Sequence, residues 1–197
     1  MATVLHSMMR FSPFVLLFFT LIISSCDNPA RQDQPPVYYD VAGFVKTQID
    51  ALSARKPRVQ KTVRINNQRS QQSTADLNWS RELELFSQAD INKPALRSSY
   101  QIARPDSLTY QYTLKKSEER LTVRSLTVRL DSATRQPRRI EAVLQTSNPL
   151  YASERHLLLE NGPGSGRQWQ LKHYQLTGFQ KLSYFDRSEF MVDGRVQ

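Results

Sequence analysis

Apolar residues recur along this chain in two rhythms, and the change from one to the other divides it. Val41, Phe44, Val45, Ile49 and Leu52 fall at i, i+3, i+4, i+8 and i+11, the stripe of an amphipathic helix over Tyr38–Ala54. Asp40 can cap its first turn, and Pro57 ends it, because the residue before a proline is pushed out of the helical region. Val59–Ile65 then alternates, with Val59, Val63 and Ile65 on one face and Gln60, Thr62 and Arg64 on the other, as in a half-buried strand. Asn66-Asn67 reads as a tight turn, and Gln68–Thr74 returns as a polar edge strand or stays a loop. Trp79, Leu83 and Phe86 predict a second helix over Asp76–Ala89, with Asn78 as a cap and the aromatic stripe in the core.

From Ala95 onward the helical rhythm stops and short alternating runs take over. Tyr100 and Ile102 share a face before a turn at Pro105-Asp106, and Leu108, Tyr110, Tyr112 and Leu114 share a face of the next run. Leu121 and Val123 are followed one position out of phase by Leu126, Val128 and Leu130, which predicts a β-bulge near Arg124-Ser125. Asp131–Pro137 is a turn, Ile140, Ala142 and Leu144 form another face, and Asn148-Pro149 breaks that run. Arg155–Glu160 and Gly166–Thr177 are joined by the glycine-rich stretch Asn161–Ser165. The fold class predicted is α+β: two N-terminal amphipathic helices packed on an antiparallel β-meander of about six to seven strands, in a single domain over residues 37–197.

The N-terminus changes the picture from fold to location. Phe14–Ile23 is apolar apart from Thr20, and its ten residues fall short of the roughly 20 that span a bilayer. The run has the length of a signal-peptide core, with the small pair Ser24-Ser25 behind it and Arg10 as the one charge ahead of it. A start at Met8 or Met9 instead of Met1 gives a tighter signal of the same kind.

Ile23-Ser24-Ser25-Cys26 resembles the lipobox of bacterial lipoproteins. That resemblance implies cleavage between Ser25 and Cys26, a diacylglyceryl thioether on Cys26 and acylation of the freed amine. Residues 1–25 are then a signal peptide, and residues 26–36 a lipidated cysteine and flexible tether. Two or more acyl chains attach a protein stably where one gives marginal binding. The stretches YYDVAGFVKTQI, INKPAL and LDSATRQPRRI resemble lipoproteins of the Bacteroidota, and no catalytic residue comes with that likeness. The location implied is the cell envelope, facing periplasm or surface, with the outer membrane favoured over the inner. Asp27, directly after the cysteine, matches the residue that keeps enterobacterial lipoproteins at the inner membrane.

Composition bounds the partners. Loss of residues 1–25 removes only Arg10, so 26 basic and 18 acidic side chains leave the mature chain at +8. In an exported protein that charge points to anionic lipid, an acidic glycan or an acidic protein face, and away from nucleic acid. The plainer reading is a dispersed, solvated basic surface. Arg55-Lys56-x-Arg58, Lys115-Lys116 and Arg138-Arg139 are the densest groups, and none is interleaved with aromatics. With its one cysteine committed to lipid, the domain has no disulfide.

Candidate chemistry is sparse. The chain has no Gly-x-Ser-x-Gly elbow, phosphate loop, dinucleotide fingerprint, His-Glu-x-x-His or Cys-x-x-Cys, and no cofactor is expected. A symmetric hairpin about Asn161–Ser165 would set His156 opposite His173 with Glu154 on the same face, a weak metal-ligand set. The reading reached is a non-enzymatic binding or scaffold lipoprotein that meets an envelope protein, a lipid or an anionic glycan through the sheet's concave face or an edge strand. One alternative is a lipid- or lipoprotein-binding half-barrel receptor, by fold analogy with envelope carriers. A second is a metal-dependent hydrolase using Glu154, His156 and His173.

Overall fold

The computed structural model describes residues 36–164 and 168–197. Phe14–Ile23, Ser25, Cys26 and the tether as far as Pro35 lie outside the described residues.

Helix α1 spans Val41–Arg55, and the Asp40 carboxylate accepts the Gly43 N–H at 2.8 Å. Lys56 turns left-handed at φ 47°, so its N–H reaches the Leu52 carbonyl at 2.8 Å before Pro57 takes the chain away. The stripe buries Val41, Val45, Gln48 and Leu52. Strand β1 (Val59–Ile65) is as predicted, and Gln68–Thr74 takes the strand alternative as β2, closing a hairpin with Asn66 at φ 49° in its turn. The later strands are β3 (Tyr100–Asp106), β4 (Thr109–Leu114), β5 (Val123–Leu130), β6 (Pro137–Asn148), β7 (Tyr151–Pro163), β8 (Trp169–Leu182) and β9 (Ser188–Val196). Among the described residues these make one nine-stranded antiparallel sheet in the order β2-β1-β9-β8-β7-β6-β5-β4-β3. It is a meander from β3 to β9, with the first hairpin of the chain added to its last strand. The predicted bulge is present, where Val123 pairs with Leu144 but Ser125 pairs with Val143.

This architecture corrects the expected fold class. The sheet has nine strands rather than six to seven, and among the described residues α1 is the one helix of seven residues or more. The second predicted helix is two single turns, α2 (Trp79–Glu82) and α3 (Glu84–Ser87), separated at Leu83 with φ −102° and ψ 9°. Its cap and stripe are as expected: Asn78 accepts the Arg81 N–H at 3.0 Å, and Trp79, Leu83 and Phe86 are buried. A segment this short does not hold a helix alone, so tertiary burial sets its path. Ala89 and Ile91 are buried directly after it, and Asn92 then clamps the Tyr38 and Tyr39 backbone with three hydrogen bonds of 3.0 Å.

The unforeseen strand is β9. Phe190, Val192 and Val196 keep a clean alternation, but Gly194 sits in its middle, and a glycine there reads as an interruption. In the fold that glycine is buried because the Tyr174 ring of β8 lies over it; an added Cβ would stand 2.0 Å from that ring. Tyr174 in turn meets Trp79 and Phe86 edge-on, each at 6.3 Å between centroids. The helices therefore all pack on one face of the sheet, against Val59, Leu126, Val128, Ile140, Ala142, Leu157, Leu159 and Leu171.

Tyr100 and Tyr112 belong to this core and not to an open face. Tyr38 meets both edge-on, at 5.6 and 5.3 Å, and the Tyr100 hydroxyl donates to the Val123 carbonyl at 2.9 Å. Burial pushes the Tyr100 phenol up to about 12 and Tyr39 up to about 12, so both stay neutral through the biological pH range. Tyr110 is half-buried beside Tyr39, with the Arg104 guanidinium 4.1 Å from its ring centre.

Candidate binding surface

Because strand side chains alternate, the residues between the core positions all point to the face away from the helices. The register aligns Thr109, Arg129, Arg139, Glu160, His173, Arg195, Gln60 and Ser73 in one row from β4 to β2. A second row holds Glu141, Leu158, Gln175, Asp193, Thr62 and Gln71. The polar residues of β1 through β9 that look like independent surface positions in sequence are thus neighbours.

Ion pairs join the middle of these rows. Arg139 contacts Glu160 at 2.6 Å and Glu141 at 3.0 Å. Its guanidinium holds the Glu141 carboxyl below the usual range. His173 faces Glu160 through Nδ1 at 2.9 Å and Asp193 through Nε2 at 2.8 Å, and Gln175 donates to Asp193 at 3.1 Å. Both ring nitrogens of His173 are thus occupied by carboxylates of the neighbouring strands. His173 and Asp193 side chains are only 16% and 19% exposed, which makes this a structural seam between strands rather than a free reactive pair.

The candidate metal set of Glu154, His156 and His173 does not assemble. His173 pairs with Glu160 and His156 with Thr177, so the histidines lie four residues apart along the strands. The bulge at Glu160/Asn161 and the actual register, set by pairs such as Leu159 with Tyr174, displace them from the symmetric alignment. His156 contacts Glu154 at 2.7 Å. Among the described residues no three His, Cys, Asp or Glu side chains are placed to hold a metal ion.

Grooves open at both ends of the seam. One, of about 690 Å³, lies across β1, β2 and β9 and is lined by Gln60, Thr62, Arg69, Gln71, Asp193 and Arg195, among others. The second, of about 600 Å³, includes Arg129, Arg138, Arg139 and Glu160. Both linings are rich in polar and charged side chains, unlike the apolar cavity that a lipid carrier uses.

The two sheet edges differ. At one edge β3 carries Arg104-Pro105, and its register with β4 shifts between Ala103 and Asp106, features that block an added strand. At the other, β2 is paired with β1 in unbroken register from Gln68 to Thr74, contains no proline and carries one charge, Arg69. Every β2 residue except Thr74 is exposed. The sequence left this segment open between strand and loop because it has no apolar alternation to read. Asp193 and Arg195 went unassigned because their strand did. No protein-family model, curated protein or solved structure matches the chain.

Proposed function

We propose that this chain is an envelope lipoprotein, attached through Cys26, whose domain binds a partner instead of catalysing a reaction. The partner is an extended, acidic segment of another envelope protein, added as a further strand on β2. The open edge of β2 carries this reading, because an unpaired strand edge supplies main-chain hydrogen bonds and the neighbouring groove supplies side-chain selectivity. Charge favours an acidic segment. Arg64 and Arg69 are directly opposed across β1 and β2, and like charges at such positions repel. An acidic side chain arriving beside Arg69 relieves that repulsion, and Arg195 adds to the cationic lining. The tether fits a role close to the membrane, since its ten residues from Asp27 to Pro36 reach about 35 Å when fully stretched.

A photo-crosslinking amino acid at Gln72, compared with one at Gln101 on the blocked edge, tests the reading in cells. The expected result is a discrete crosslinked protein partner from Gln72 and none from Gln101. Equal products from both edges, or a product from Gln101 alone, would contradict edge recognition. A product that is a second copy of this chain would replace the hetero-partner with self-association.

A further inference from the structure

The end of the sheet away from the α1 C-terminus holds an exposed apolar cluster that the edge reading does not use. Strand pairing puts Val123, Leu144, Arg155, Gly178, Phe190 and Ile65 at one level. Beyond that level β6, β7 and β8 run on to Asn148, Tyr151 and Leu182. Four further residues of strand project by about 13 Å. The tip of this projection shows Leu150 at 66% exposure, Leu182 at 49%, Tyr184 at 91% and Phe185 at 68%.

The tip is built. Ser183 donates its N–H to the Leu150 carbonyl at 3.1 Å and its hydroxyl to the Pro149 carbonyl at 2.5 Å, tying the β6–β7 and β8–β9 loops together. Asn148 Oδ1 accepts the Leu150 and Tyr151 N–H groups at 2.9 and 3.0 Å. Arg187 lies 3.7 Å over the Phe179 ring at the base of the loop. Holding four large apolar side chains in water on an ordered loop is unfavourable unless something covers them.

The geometry points to an anionic phospholipid surface as the cover, with Leu150, Leu182, Tyr184 and Phe185 entering the interface. The order of chemistry along the strand axis matches a bilayer boundary. Apolar and aromatic groups lead, and Lys115, Lys116 and Arg120 of the β4–β5 connection and Arg64 and Arg69 of the first hairpin stand behind them. Interfacial aromatics settle at the headgroup boundary, and cations set back from them meet the anionic phosphates. Glu118, Glu119, Glu154, Asp186 and Glu189 offset part of this charge, but Arg124, Arg155, Lys181 and Arg187 add to it and leave the basic groups in excess at this end. An inserted tip orients the anchored domain proposed above, and it shares with that reading only a place at a membrane.

Full chains carrying Tyr184→Trp, or Ala133→Trp in the opposite turn, are reconstituted into vesicles of phosphatidylcholine with or without phosphatidylglycerol, in each case with brominated acyl chains. Wild type, with Trp79 and Trp169, supplies the background emission to subtract. For Tyr184→Trp the expected result is loss of the added indole's emission, with a shift to shorter wavelength, in the anionic vesicles and a weaker effect in the neutral ones. The Ala133→Trp chain should show no added quenching in either lipid. An unquenched Tyr184→Trp chain in anionic vesicles overturns insertion, and equal quenching in both lipids overturns the electrostatic part. The acyl state of Cys26, read by mass on the same samples, separates the two proposals. An unmodified cysteine sinks the anchor and leaves the tip result standing.

Discussion

Glu82→Ala is expected to lower the unfolding free energy by about 3–5 kcal/mol, the range found when one member of a buried ion pair is removed. The Glu82 carboxylate closes α2 and is met from the sheet by Lys61 of β1 at 2.6 Å and by the Tyr174 hydroxyl of β8 at 2.7 Å. Lys61 and Glu82 side chains are 16% and 13% exposed, so solvent cannot replace the lost partner cheaply. Burial, and then the Glu82 hydrogen bond, push the Tyr174 phenol far above its ordinary value, so it remains a donor. A tyrosine raised in this way adds stability that is intact below its ordinary titration point near pH 10 and fades above it. The check is denaturant unfolding of wild type, Glu82→Ala and the triple variant Lys61→Met, Glu82→Leu, Tyr174→Phe. The triple variant should recover most of the loss, because it removes all three polar groups together. A single variant within about 0.5 kcal/mol of wild type, as for an ordinary surface change, would rule out the junction as a fastening point.

Gly194→Val should be similarly damaging, costing about 3 kcal/mol, the upper end for overpacking a core. A Cβ at this position meets Tyr174 Cζ at 2.0 Å, and the ring is fenced by Trp79 and Phe86. The clash therefore passes into the contact between helices and sheet. Tyr174→Leu shortens the obstructing side chain, so Gly194→Val should cost clearly less in that background, a coupling that unfolding midpoints can measure. Equal costs in the two backgrounds would place the strain elsewhere.

The elements that were legible in sequence are those whose periodicity and punctuation agree. The first helix and the strand after it carry a cap, a proline stop and alternation together, and the bulge in β5 showed as a one-residue slip between Val123 and Leu126. The second helix misled because Trp79, Leu83 and Phe86 keep a helical spacing even though the backbone breaks at Leu83. Spacing reports which side chains reach the core, and two single turns satisfy it as well as one helix. Strand β9 was hidden by Gly194, a residue demanded by Tyr174 on another strand. The polar rows were illegible for the same reason: which of Glu160, His173, Asp193 and Arg139 meet depends on register, and no local pattern carries register across a bulge. The histidine pairing failed on this point.

The proposed anchor rests on Cys26, so the most direct measurement is intact and N-terminal mass analysis of the mature protein extracted from its own cells. The account predicts a chain beginning at Cys26 and carrying acyl groups on that residue, and release or mislocalisation of Cys26→Ser. A chain that retains residues 1–25 with an unmodified Cys26 thiol would contradict it.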